Sequence, residues 1–143
     1  MEKIGLAADH AGFAYKERVK EHLIEQGYTV VDLGTYNDQS MDYPDVAHPL
    51  AMAVEQGDVT MGIALCGSGN GMAMALNKHR GIRAALCWTP QIAVLARQHN
   101  NANACALPAR FVSIQTAPDI VDAFLRTAFE GGRHQQRVEK IPC

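Results

Sequence analysis

Apolar residues along this chain fall alternately into short continuous runs and into longer stretches where they recur every three or four positions. The first kind has the character of strands buried on both faces, the second the period of helices packed on one side. Residues 4–8 open the series as a strand, and 13–26, with charged and apolar faces, follow as a helix ended by Gly27. Residues 29–34 give a second strand rich in β-branched side chains. A polar turn over 35–42 leads to a helix over 45–56 that Pro44 starts and Gly57-Asp58 ends. A third strand, 61–65, runs into Cys66 and three glycines, after which a helix is expected from 70 to 79. Residues 82–88 read as a fourth strand, and Thr89-Pro90 pairs an N-cap with a proline at the head of a helix over about 91–98. The fifth strand is 103–107. The last long helical pattern lies within 113–130, with Ile120, Val121, Phe124, Leu125 and Phe129 on one face, and Gly131-Gly132 breaks it.

Strands alternating with helices in this way build a parallel sheet with helices on both faces, a three-layer α/β/α, Rossmann-like fold, because parallel neighbours need crossover connections. Ligands of such sheets bind beyond the carboxyl ends of the strands. Asp9 and His10 end the first strand, Cys66 the third, and Arg110 lies past the fifth. His99 and Asn100 differ. They stand at the far end of the helix after strand four, which in the simplest topology puts His99 on the wrong side of its own sheet.

Length and composition narrow the picture. The 143 residues suffice for one hydrophobic core and are too few for two ordinary domains, so 1–143 is read as one domain. A net charge of −2, with 48% hydrophobic and 20% charged residues, points away from disorder and from a nucleic-acid surface and toward a small solute. The one local imbalance is a basic tail, 131–143, that carries Arg133, His134 and Arg137. The chain enters its first strand at once and has no apolar run of membrane-spanning length, so a cytoplasmic protein is expected. Cys66, Cys87, Cys105 and Cys143 show no CxxC spacing, which fits a reducing compartment and argues against structural zinc or disulfides.

The candidate chemistry centres on Cys66-Gly67-Ser68-Gly69-Asn70-Gly71. A Gly-rich turn from strand to helix leaves backbone N–H groups free for an anion, and a thiol at the strand end stands beside them. The glycine spacing fits neither the dinucleotide fingerprint nor the Walker loop. Taken singly, Asp9 fits a helix N-cap, His10 a surface imidazole, His99 a cation at a helix C-terminus, and Arg133 and Arg137 a solvated face. Together they form the parts list for proton transfer on a small phosphorylated carbonyl compound: base, oxyanion holder, carboxylate, imidazoles and two arginines four residues apart.

The motifs Ala8-Asp9-His10-Ala11-Gly12, Asp42-Tyr43-Pro44, Cys66 to Gly71, Asn77-Lys78, Gly81-Ile82-Arg83-Ala84, Arg97-Gln98-His99-Asn100, Asn103 and Gly131 to Val138 occur in order over nearly the whole chain. In this the sequence resembles the ribose/galactose isomerase family, which holds type B ribose-5-phosphate isomerases, allose-6-phosphate isomerase and the galactose-6-phosphate isomerase subunits. The resemblance implies sheet order 2-1-3-5-4, a homodimer or dimer of dimers, and no metal or organic cofactor. It implies an aldose-ketose isomerase that interconverts ribose 5-phosphate and ribulose 5-phosphate through an enediolate, a step of the non-oxidative pentose phosphate pathway. On the same resemblance Cys66 is the general base, the amides from Gly67 through Gly69 and Asn70 to Gly71 hold the enediolate oxygen, and Ser68 shuttles a proton. His99 opens the furanose ring, Asp9 holds hydroxyls, and Asn100 contacts a hydroxyl or the enediolate. His10, Arg133 and Arg137, joined by Arg110, bind phosphate, with Tyr43 and His134 also lining the substrate. Each site is expected to be shared between chains, with Cys66, Asp9 and His10 from one and His99, Asn100 and Arg110 from the other. Cys87, Cys105 and Cys143 have no such role and are read as packing or tail residues. Two alternatives stay open: a hexose-6-phosphate isomerase acting on allose or galactose 6-phosphate, and a non-catalytic phosphate- or nucleotide-binding module, which would have no need of Cys66.

Overall fold

The computed structural model describes residues 2–143. Five strands, β1 (Lys3–Ala8), β2 (Thr29–Asp32), β3 (Met61–Cys66), β4 (Ala84–Leu86) and β5 (Ala104–Pro108), alternate with α1 (Phe13–Glu25), α2 (Pro44–Glu55), α3 (Asn70–Leu76), α4 (Pro90–Asn100) and α5 (Ala117–Arg126), and a short α6 (Arg133–Glu139) closes the chain. The strands form one parallel sheet in the order β2-β1-β3-β5-β4, the order the family resemblance implies.

Register explains how the two faces differ. Leu6, Ile63 and Cys105 stand in one row across the sheet, and Ala7, Ala64 and Ala106 in the next. Side chains alternate along a strand, so the large row packs with Val19, Leu23, Ala93, Ile120 and Phe124 on one face, and the alanine row meets Leu50, Met72 and Leu76 on the other. Gly5 and Gly62 are also paired, and a Cβ on Gly5 would lie 2.6 Å from Leu50 Cδ1. The glycines thus form a notch for Leu50, whose complete burial contributes about 1.5–3 kcal/mol.

Four elements are clearly shorter than their patterns predict, among them β2, which ends at Asp32 rather than at residue 34. The fourth strand keeps only its central residues because β4 is an edge, and Asn103 uses its side chain to accept from the Arg83 amide at 2.8 Å and donate to the Gly81 carbonyl at 2.8 Å, holding 81–83 as a turn. Helix α3 stops at Leu76, where Asn77 instead exchanges two hydrogen bonds with Ala84. Helix α5 stops at Arg126 because Thr127 turns extended and gives its carbonyl to Arg97 Nε at 3.0 Å, so Phe129 lies outside the helix. The basic tail is helical, and buried His134 and Val138 dock it.

Candidate active site

Cys66 is the last residue of β3, 5% exposed, at the carboxyl edge of the sheet. The turn after it is fixed from β5: the Cys66 carbonyl accepts from the Ala109 amide at 2.9 Å and the Gly67 carbonyl from the Arg110 amide at 3.0 Å. Gly69 takes φ +77°, a left-handed conformation that glycine adopts without strain, and this turns the chain into α3. Among the described hydrogen bonds none engages the amides of Gly67, Ser68 or Gly69, so three donors stand beside the thiol. The Ser68 hydroxyl accepts from the Asn70 amide at 3.3 Å.

Side chains from three other segments surround this cradle. Asp9 caps the turn His10–Gly12 by accepting through Oδ1 from the Ala11 and Gly12 amides at 3.0 and 3.2 Å, so the N-cap role holds. His10 Nδ1 accepts from the Met41 amide at 3.2 Å, which places the ring proton on Nε2. Tyr43, at the head of α2, lies so close over Gly71 that any side chain there would overlap its ring. Arg110 sits against Gly67, where a Cβ would come within 3.2 Å of Nη1. The expectation is that Arg110 reaches the site from a second chain together with His99; within one chain it packs on that chain's own cradle, because the turn after β5 is hydrogen-bonded to the turn after β3.

The remaining site residues form a second group. His99 lies in the last turn of α4, which returns the chain to the start of β5 and hence to the amino edge of the sheet. Its ring stacks on that of His134 with centroids 4.3 Å apart and planes 9° from parallel. Glu130 Oε1 lies 3.8 Å from His99 Nε2 and 3.5 Å from His134 Nε2. Burial, with His99 and Arg133 nearby, holds the His134 imidazole below its ordinary value. Arg133 and Arg137 are exposed on α6, and Asn100 borders a cavity of about 550 Å³ lined also by Asn77, Lys78, Arg83 and Val138. That cavity contains no residue of the cradle, so the thiol chemistry is elsewhere. The expected phosphate ligands divide accordingly, His10 and Arg110 with the first group, Arg133 and Arg137 with the second.

His99, Glu130 and His134 bring three ligand atoms within 4.8 Å of one another. Parallel stacked rings do not aim their lone pairs at one point, so this is not a formed metal site. Cys87 and Cys105 are wholly buried in the core as packing residues, and burial, reinforced by Cys87, pushes the Cys105 thiol well above its ordinary value. Sequence reading missed Glu130 and Met41. Glu130 stands four residues before His134, a helical spacing that gave no signal because the segment between is not helical, and Met41 acts only through its backbone.

The Ribose/Galactose Isomerase family profile matches residues 4–141. Ribose-5-phosphate isomerase B of Escherichia coli is 48% identical over 141 residues, spanning 99% of this chain and 95% of that protein. The crystal structure of a ribose 5-phosphate isomerase from Thermotoga maritima superposes with a TM-score of 0.97 at 50% identity, covering 99% of this chain and 97% of that one. That of ribose-5-phosphate isomerase B from Mycoplasma genitalium, with bound ribulose-5-phosphate, gives 0.92 at 47% identity over 97% and 93% of the two chains. With the family profile spanning residues 4–141 and relatives 47–50% identical along nearly the whole chain, the chain belongs to the ribose/galactose isomerase family.

Proposed function

We propose that this protein is an aldose-ketose isomerase that interconverts D-ribose 5-phosphate and D-ribulose 5-phosphate through an enediolate. The observation that carries the reading is the Cys66 thiol at a strand end beside three amides without protein partners. Moving a proton between C1 and C2 needs a base beside the carbon and donors where the oxyanion develops, and this turn sets a thiol next to open amides. Cys66 takes the proton from C2 of the open-chain aldose and returns it at C1. The open Gly67, Ser68 and Gly69 amides, with Gly71 beyond them, face the enediolate oxygen, and the Ser68 hydroxyl, which accepts from the Asn70 amide, passes a proton between O1 and O2. Asp9 spends Oδ1 on its cap, which leaves Oδ2 for sugar hydroxyls.

His99 opens the furanose, Asn100 holds a hydroxyl, and Arg133 and Arg137 hold phosphate, with His134 beside them. In one chain these stand at the amino edge of the sheet, so they serve the thiol of a second copy in a two-fold dimer. His10 and Arg110 complete the phosphate ligands from the thiol's own side, and Tyr43 walls the cradle. The reaction needs no cofactor.

Turnover in chelated buffer, measured side by side on ribose 5-phosphate, allose 6-phosphate and galactose 6-phosphate, tests the substrate. A preference for either hexose would overturn the pentose reading. Site sharing is tested by dissociating and reassembling a mixture of Cys66→Ala and His99→Asn chains. Random pairing makes about half the dimers hybrid, each with one intact site of two, so activity should recover to roughly a quarter of wild type. If both groups serve one chain's own site, every site carries a lesion and nothing recovers.

A further inference from the structure

Lys16 is among the largest fully buried side chains, with no solvent exposure, although lysine is almost never buried without a strong reason. Its ammonium on α1 lies 2.6 Å from Asp32 Oδ2 and 3.0 Å from Glu17 Oε2, with the rings of Phe13 and Tyr36 5.6 and 5.5 Å away. Lys20 Nζ approaches the same Asp32 oxygen at 3.1 Å. Burial works to raise the Asp32 carboxyl, yet hydrogen bonds from Lys16, the Gly34 amide and Lys20 together hold it below the usual carboxylate range.

The partners of the other Asp32 oxygen show where this arrangement leads. Oδ1 accepts from the Gly34 amide at 2.9 Å, and the Asp32 carbonyl accepts from the Tyr36 hydroxyl at 3.1 Å. The Gly34 carbonyl in turn accepts from the Ala8 amide and the Thr35 amide donates to the Ala8 carbonyl, both at 2.7 Å, clamping the turn against the residue that precedes Asp9. From this clamp the chain runs over 35–43 across the sheet's carboxyl edge, ending at the Met41 amide on His10 and the Tyr43 ring on Gly71. Asp32 thus fastens the near end of the segment whose far end sets a ring tautomer and walls the cradle.

We propose that Asp32, aimed by the buried Lys16, is a positioning residue for the site: it fixes the 34–43 segment so that His10 presents Nε2–H and Tyr43 stays over Gly71. The lysine locks the carboxylate rotamer, and the locked rotamer holds the Gly34 amide. A carboxylate free to turn toward solvent would serve stability almost as well through Lys20 and would leave the turn unfastened.

The test separates positioning from support. Replacing a buried ion pair with apolar residues of similar volume is often neutral for stability. Lys16→Met/Asp32→Leu is therefore expected to keep a melting temperature close to wild type while losing the acceptor for Gly34. Lys16→Met/Asp32→Asn keeps an acceptor and serves as its partner. In the Leu form the Met41 amide should exchange with solvent about tenfold faster, as expected for a lost hydrogen bond, with the Ile63 amide of β3 unchanged. His10 nitrogen shifts should move from the Nε2–H form toward a mixture of tautomers, and KM for ribose 5-phosphate should rise about tenfold with kcat changed less; the Asn form should stay near wild type in all three. Equal Met41 exchange and His10 tautomer in the two folded double variants would overturn the proposal. Should the Leu form not fold, single Lys16→Met is read in the same way, and unchanged Met41 exchange there would overturn it. Only the KM comparison rests on the isomerase reading, so failure of that reading leaves the exchange and tautomer results to decide this one.

Discussion

Replacing Cys66 by alanine separates two quantities that the structure makes very different in size. The side chain is 5% exposed and packs in the core between the sheet and α2 and α3. Deleting its sulfur removes one buried heavy atom, worth about 0.8 kcal/mol of transfer energy plus a small cavity term. For a chain of this length that lowers the melting temperature by only about 2–5 °C. Loss of a positioned general base, by contrast, slows turnover by about 100-fold to 10,000-fold, roughly 2.7–5.4 kcal/mol of barrier. Because the proposed mechanism assigns phosphate and hydroxyls to other groups, affinity for ribose 5-phosphate should change by less than about threefold. The assay is threefold: ketose formation, deuterium uptake from solvent at C2, and calorimetric binding of ribose 5-phosphate to the same preparation. Turnover and deuterium uptake should fall together while binding and fold persist. Cys66→Ser should not restore the rate, since a hydroxyl is a far weaker acid than a thiol. An alanine variant that keeps more than about a tenth of wild-type turnover would refute the assignment of the base.

Arg133→Ala and Arg137→Ala should each raise KM for ribose 5-phosphate about tenfold or more with a smaller effect on kcat, and inorganic phosphate should inhibit the wild type competitively; steady-state kinetics checks both, at the rough 1.5–3 kcal/mol of a charge-assisted contact. Gly71→Ala should drive the Tyr43 ring off the cradle and lower kcat/KM by roughly tenfold, with crystallography of the variant showing the displaced ring. Asp32→Asn leaves Lys16 buried without its closest anion and should cost on the order of 3 kcal/mol at neutral pH. The folded carboxyl lies below its ordinary 3.8, so the unfolded chain binds more protons between the two values. Its stabilisation is complete above about pH 4 and is lost as pH falls through the lowered value. Melting curves should therefore show the gap between wild type and variant narrowing below about pH 4, and a constant gap would show that the charge is not responsible.

The sequence by itself determined whatever depends on neighbours within a few positions. Apolar runs and helical periods placed every strand and five helices, and the glycines after Cys66 marked a turn that leaves amides open. Arg133 and Arg137 stand four residues apart, and because α6 makes the tail helical from Arg133 to Glu139 they share one face. Where local pattern met long-range hydrogen bonding, the pattern overshot. The final helix ends at Arg126 because Arg97, about thirty residues away, takes the Thr127 carbonyl. Only the tertiary structure decided how the site residues are distributed. Arg110 joins its own chain's cradle because β3 and β5 are adjacent in the sheet, a neighbour relation that no spacing in the sequence encodes. His99, by contrast, falls at the opposite edge as its place at the far end of a helix predicts, because a crossover helix must carry the chain back to where the next strand begins. Lys16 reads as an ordinary member of a charged helix face until β2 brings Asp32 to it, and its burial then costs less than leaving either charge unpaired.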